Sequence, residues 1–162
     1  MVRGCRTLTP MLRAQRSGHL VNIASAAGLV HPTQMATCSA VKAAVVALSE
    51  ILSFELRPHG ISTSVVCPTF FESEIAANMP ASDALSRSRA QAMIDASPRT
   101  ADQIAAKVLE AVDEDRYLIL PDREVKVAYT TKWFTRRFYD ARMSRLAVSM
   151  LNRQQAEPRP RS

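Results

Sequence analysis

Two short runs rich in β-branched residues, "HLVNIA" at 19–24 and "ISTSVVCP" at 61–68, enclose one long apolar helical pattern, "ATCSAVKAAVVALSEILSFEL" at 36–56. Strand, helix and strand in that order demand a parallel pair joined by a crossover, because no tight turn links the two runs. The pattern then recurs. Thr100 and Gln103 form a capping box ahead of "IAAKVLEAV", and "RYLILP" at 116–121 reads as a third strand. The fold class that follows is α/β, a parallel sheet of about three strands flanked by helices. The run at 19–24 carries a single polar residue, Asn22, and reads as a strand buried on both faces that still offers an unpaired apolar edge.

Punctuation places the remaining elements. "RGCRTLTPMLRAQRSG" is a helix that Pro10 kinks or restarts and Gly18 stops. A loop runs through Gly28 and Pro32 to Thr37, the expected N-cap of the long helix. Its core stripe is Val41, Ala44, Val45, Leu48, Ile51 and Leu52, and Pro58 with Gly60 ends it. Residues 70–96 read as short helices separated by "MPAS", and the segment from Arg123 as mostly helix until Pro158 and Pro160 announce a disordered end.

With 162 residues, 47% hydrophobic and 22% charged, the chain suffices for one compact core. Cys5, Cys38 and Cys67 form no CxxC or pairing pattern, and no N-terminal run resembles a signal peptide, so a reducing, cytoplasmic location is expected. Polar residues interrupt every apolar stretch, so no membrane span is expected. The net charge of +6 is uneven: residues 1–122 sum to −1, whereas 123–162 hold 10 Lys/Arg against 3 Asp/Glu. Such a segment can meet nucleic acid or an anionic membrane surface, but the preferred reading is a helix packed by one face with its arginines solvated.

Within the long helix Cys38 and Lys42 stand at i and i+4 and share a face. Ser25 closes the preceding strand, and ligands of open α/β sheets bind at the carboxyl ends of strands. One pocket mouth can therefore gather a hydroxyl, a thiol and an ammonium. A thiol beside a cation is partly ionised and open to nucleophilic or redox chemistry, although a helical cysteine also serves as a small packing residue. His19, His31 and His59 lack metal-ligand spacing, so no metal site is expected. His31 is placed in a loop facing water rather than as a base for Cys38, and Asp113, Glu114 and Asp115 as the solvated end of a helix.

"GHLVNIASAAG", "ATCSAVKAAVVALSEILSFEL" and "HGISTSVVCPTFFESEI" together resemble the short-chain dehydrogenase/reductase family, fairly specifically over 18–75 and more loosely to 121. The resemblance implies the C-terminal part of a Rossmann-like, doubly wound sheet. It matches Ser25 to the family serine and Lys42 to the lysine of its Y-x-x-x-K motif, with Cys38 in the tyrosine position. Pro68 matches the proline of the loop that closes over the nicotinamide. Thr69 stands there in place of the usual glycine, and Ser73 matches a hydroxyl residue further along. Catalytic roles are thus implied for Ser25, Cys38 and Lys42, and cofactor contacts for Lys42, Pro68, Thr69 and Ser73. In the family, lysine lowers the phenol's pKa and holds the ribose, while serine polarises the substrate oxygen.

The implied activity is oxidation of an alcohol or reduction of a carbonyl with NAD or NADP. The implied domains are 1–121 for the partial enzyme fold, 122–155 for a basic helical extension and 156–162 for a disordered tail. The glycines at 4, 18, 28 and 60 form no GxxxGxG cluster, so no dinucleotide fingerprint is present and inactivity is expected of this chain alone. A second reading is a non-catalytic remnant or dimerisation module, pairing through helices 2–17 and 37–57 with a copy of itself or a full-length relative.

Overall fold

The computed structural model describes residues 1–78 and 84–156. Its elements run α1 (Val2–Gln15), β1 (Gly18–Ile23), α2 (Ala27–Val30), α3 (Ala36–Leu56), a 3-10 turn (Arg57–His59), β2 (Ile61–Val66), α4 (Ala84–Asp95), α5 (Ala101–Asp113), β3 (Leu118–Ile119), α6 (Arg123–Phe134) and α7 (Arg136–Ala156). The strands are ordered β1-β2-β3. Both pairs are parallel, with Gly18 opposite Ile61, Ile23 opposite Val66, and Val66 opposite Ile119. The α/β fold class read from the sequence is the one observed.

Helices α1 and α3 cover one face of β1 and β2, where Cys5, Leu20, Leu56 and Ile61 pack with Leu12, Leu48 and Leu52. The opposite face of β2 and β3 is covered by α5, through Val66, Ala111 and Ile119. Each fully buried aliphatic here contributes roughly 2 kcal/mol. Among the described residues, cover on that second face stops at β2. Val21 and Ile23 of β1 are 37% and 55% exposed, so the strand expected to be buried on both faces is buried on one.

Several sequence expectations are corrected by tertiary packing. Helix α1 passes through Pro10 unbroken, held to the core by Cys5 before the proline and Leu12 after it. Arg16, not Gly18, takes its left-handed cap, at φ 53°. The loop at Gly28 contains the short helix α2. Thr37 lies inside α3 rather than capping it, because the helix starts from Met35, whose carbonyl accepts the Ser39 N–H at 2.8 Å. Val41 and Ile51 are 58% and 53% exposed, so the core face of α3 is rotated from the expected stripe toward Val45, Leu48, Ser49 and Leu52. Residues Ala36–His59 are, by length and composition alone, apolar enough to cross a membrane, contrary to expectation, although this helix packs on the sheet. Strand β3 keeps two residues of the six expected, and the C-terminal helix divides at Thr135.

Other signals hold. The Thr100–Gln103 capping box forms reciprocally, and Gly60, at φ 73°, caps the turn after α3. The "MPAS" break and the Pro158–Pro160 end lie outside the described residues.

Candidate active site at the carboxyl ends of the strands

The sheet continues as a ladder of single hydrogen bonds past the formal strand ends. Ala24 N–H donates to Val66 O at 2.8 Å, Ala26 N–H to Pro68 O at 2.9 Å and Cys67 N–H to Ile119 O at 2.9 Å. Residues 24–26, 66–69 and 119–122 are therefore held side by side, which sets Ser25, Pro68, Thr69 and Asp122 along one edge. Over this edge lies α2, pressed onto α3. A side chain on Gly28 would place its Cβ 2.6 Å from the Lys42 carbonyl carbon, so only glycine permits this approach.

Lys42 reaches back from α3 and donates through Nζ to Ile23 O at 3.4 Å, two residues before Ser25. Ser25 Oγ accepts the Ala27 N–H at 3.1 Å, which leaves its own proton free to donate outward. The Ser25 backbone N–H points at the Cys67 thiol. Burial nevertheless dominates and pushes that thiol up to about 11, against the lowering effects of this N–H and of the Lys42 charge. Ser25 and Pro68 thus stand on adjacent strand ends, with the Lys42 ammonium at Ile23. Cys38 is exposed, and its thiol makes no hydrogen bond among the described residues.

The loop after β2 is anchored by a carboxylate that sequence reasoning passed over. Asp122, whose side chain is fully buried, accepts the Thr69 N–H at 2.8 Å and the Thr69 hydroxyl at 2.7 Å, both on Oδ2. Its Oδ1 has no aligned hydrogen bond but is compensated by Arg99 Nε, 2.7 Å away. Arg99 also meets Glu124 at 2.6 Å, and Glu124's carboxyl is lowered first by its own backbone N–H at the start of α6 and then by this guanidinium. Both donors of Thr69 are consumed by the latch. Ser73 lies further on, half-buried in a bend.

A second set of long-range contacts ties the C-terminal helices to α2. Lys132 Nζ donates to Leu29 O and lies 2.9 Å from His31 Nδ1, while Tyr139 donates to Val30 O. His31 Nε2 faces Gly28 O at 3.2 Å, so Nε2 carries the proton and Nδ1 accepts from lysine. Desolvation, then the nearby Arg136 charge, lowers the Lys132 pKa, and burial raises that of Tyr139. Asp122 was open to detection as a lone acid directly after a strand; the lysine and tyrosine, more than 100 positions from their partners, were not.

Relatives share this architecture. The short chain dehydrogenase family profile matches residues 1–84. The uncharacterized oxidoreductase YxjF of Bacillus subtilis is 32% identical over 69 residues, covering 43% of this chain and 27% of that protein. The 3-oxoacyl-[acyl-carrier-protein] reductase FabG of Staphylococcus aureus is 33% identical over 90 residues, covering 56% and 34%. Among solved structures, a short chain dehydrogenase/reductase from Burkholderia phymatum in complex with NAD superposes with TM-score 0.73 at 28% identity, over 81% of this chain and 52% of that one. A short-chain dehydrogenase from Sphingobium yanoikuyae in complex with NADPH shares the fold, with TM-score 0.64 at 23% identity over 99% and 54%. The chain therefore spans about a third or less of these curated relatives and about half of these solved ones. Because the profile covers more than half of the 162 residues, and the fold superposes on that of the NAD-bound relative over 81% of this chain, the chain belongs to the short chain dehydrogenase family.

Proposed function

We propose that residues 1–121 form the catalytic side of a nicotinamide-dependent oxidoreductase acting on a small alcohol or carbonyl, with residues 122–155 as an appended helical arm. The observation that carries this reading is the Lys42 ammonium folded onto the Ile23 carbonyl at the end of β1, two residues before Ser25. The nicotinamide end of NAD or NADP fits these residues: Lys42 would meet the ribose, and the loop at Pro68, Thr69 and Ser73 would lie over the ring. Within these 162 residues the glycines at 4, 18, 28 and 60 form no cluster for the pyrophosphate end, and β1 is an edge strand with Val21 and Ile23 in solvent. When bound, the cofactor supplies or accepts the hydride.

The chain's own residues polarise the substrate oxygen. Ser25, oriented by the Ala27 N–H, donates a hydrogen bond from its hydroxyl to a substrate carbonyl oxygen and polarises it. Lys42 places positive charge where an alkoxide develops. Cys38 occupies the position of the proton carrier, but its sulfur stays closer to the helix than a phenol oxygen would, so proton transfer is out of reach. Misplacement by about 1 Å already costs on the order of 100-fold. The unaided chain is accordingly inactive in this reading. A reducing, cytoplasmic setting completes it, as Cys5 and Cys67 are buried free thiols and Cys38 an exposed one.

The test is a chimera in which residues 1–121 replace the matching segment of the NAD-bound Burkholderia phymatum relative. Cys38→Tyr is expected to raise alcohol oxidation by about 100-fold, and Lys42→Met added to the Cys38→Tyr form to abolish that gain. Equal turnover in all three forms would overturn the proposal.

A second reading, a module that pairs with another copy or a full-length relative, is favoured by one observation. Along α1 and α3, Leu8, Met11, Val41, Ile51 and Phe54 are 46–70% exposed, an apolar surface on the two helices that cover β1.

A further inference from the structure

Helices α6 and α7 meet at Thr135, whose backbone (φ −131°, ψ 55°) interrupts the helical path. Three aromatic rings stand out from that elbow: Trp133 is 70% exposed, Phe134 86% and Phe138 62%. Rings left this far in water and grouped within six positions mark a surface that gains by being covered. Their surroundings are cationic. Arg137, Arg142 and Arg145 are exposed, and spacings of four and three put Phe138, Arg142 and Arg145 on one stripe of α7. Tyr139 and Met150, which reach Val30 and Thr33 from α7, belong to a different stripe. Asp140, the nearby acid, is bound to Arg136 at 2.8 Å and does not neutralise that stripe.

We propose that this elbow docks on an anionic lipid bilayer, with the three rings in the boundary between headgroups and acyl chains and the arginines among the headgroups. Charge complementarity selects the partner, because the segment from residue 123 onward holds 10 Lys/Arg against 3 Asp/Glu. Tryptophan is favoured at that boundary, and arginine stems lie along apolar surface while the guanidinium stays with phosphates. A second copy would bring the same positive segment against this one, and the repulsion disfavours it. A nucleic acid duplex would satisfy the arginines but offers no apolar layer for convex rings. The docking surface is independent of the oxidoreductase reading, since it uses neither Ser25 nor Lys42.

Trp133 is the only tryptophan in the chain and so reports on its own burial. The 162-residue chain is titrated with vesicles of phosphatidylcholine and phosphatidylserine, and with phosphatidylcholine alone, following tryptophan emission and its quenching by brominated acyl chains. A blue shift and quenching are expected with the anionic vesicles, weakening as salt is added. Phe134→Ser with Phe138→Ser, or Arg137→Glu with Arg142→Glu, is expected to lower the partition coefficient by about tenfold or more with the far-UV spectrum unchanged. Leu109→Ser, at a residue of α5 that is 64% exposed, is the control for general stickiness and should leave binding intact. The proposal is overturned by an absent blue shift, by equal loss in the Leu109 variant, or by a shift that needs protein concentration rather than lipid and accompanies a dimer. Binding to duplex DNA without quenching by brominated lipid would overturn it equally.

Discussion

Cys67 shows how one buried group ties stability to pH. With no solvent exposure, its thiol is pushed from 9.0 to about 11, mainly by burial. The folded state therefore holds its proton more tightly than the unfolded state does, and the resulting stability is fully present below pH 9 and lost as pH rises toward about 11. Two units correspond to about 2–3 kcal/mol. We expect urea midpoints to fall across that interval and Cys67→Ala to flatten the fall. Tyr117, raised to about 12 by burial first and then by Glu50, adds its own loss at still higher pH. None of this was legible in the sequence. Cys5, Cys38 and Cys67 read alike as letters, and only the fold puts two inside and one in solvent.

Among the elements, the loop after β2 owes its position to charge. Asp122, at the start of α6, holds Thr69 by two hydrogen bonds, with Arg99, just before α5, balancing its charge. Removing the carboxylate leaves the guanidinium, only 22% exposed, without its inner partner. Asp122→Ala is expected to cost about 3–5 kcal/mol, and hydrogen exchange at the Thr69 amide should accelerate more than at Val65 in the same strand-loop segment. Equal protection at Thr69 in both forms would show that the latch does not hold the loop. The elements themselves were largely readable, because period and caps are local: the Thr100–Gln103 box and the Gly60 stop appear where the letters put them. Faces were less readable. Ser49 is buried while Ile51 is exposed, because the orientation of α3 is set by α1, α2 and the sheet rather than by its own hydrophobicity.

For the molecule as a whole, the notable fact is how much apolar surface stays in water. Phe54 is 70% exposed on α3 and Met11 62% on α1, while β1 presents an open strand edge of the kind that pairs with another chain. If the helical surface mediates pairing, sedimentation at micromolar concentration should show a dimer that Ile51→Glu with Phe54→Glu converts to monomer. Thermal stability of that monomer should change little, since both side chains lie largely outside the core. A monomeric parent chain under the same conditions would remove the pairing reading.

Local chemistry in the letters determined the alternation of strand and helix and the parallel sense of the sheet. These follow from side-chain period, capping and the length of a crossover, all properties of neighbouring residues. Tertiary structure alone decided which face of β1 and α3 is wet, that Asp122 locks Thr69, and that Lys132 and Tyr139 hold α2 from the far end of the chain. Such contacts join residues separated by tens of positions, and their existence depends on packing geometry that no local pattern encodes.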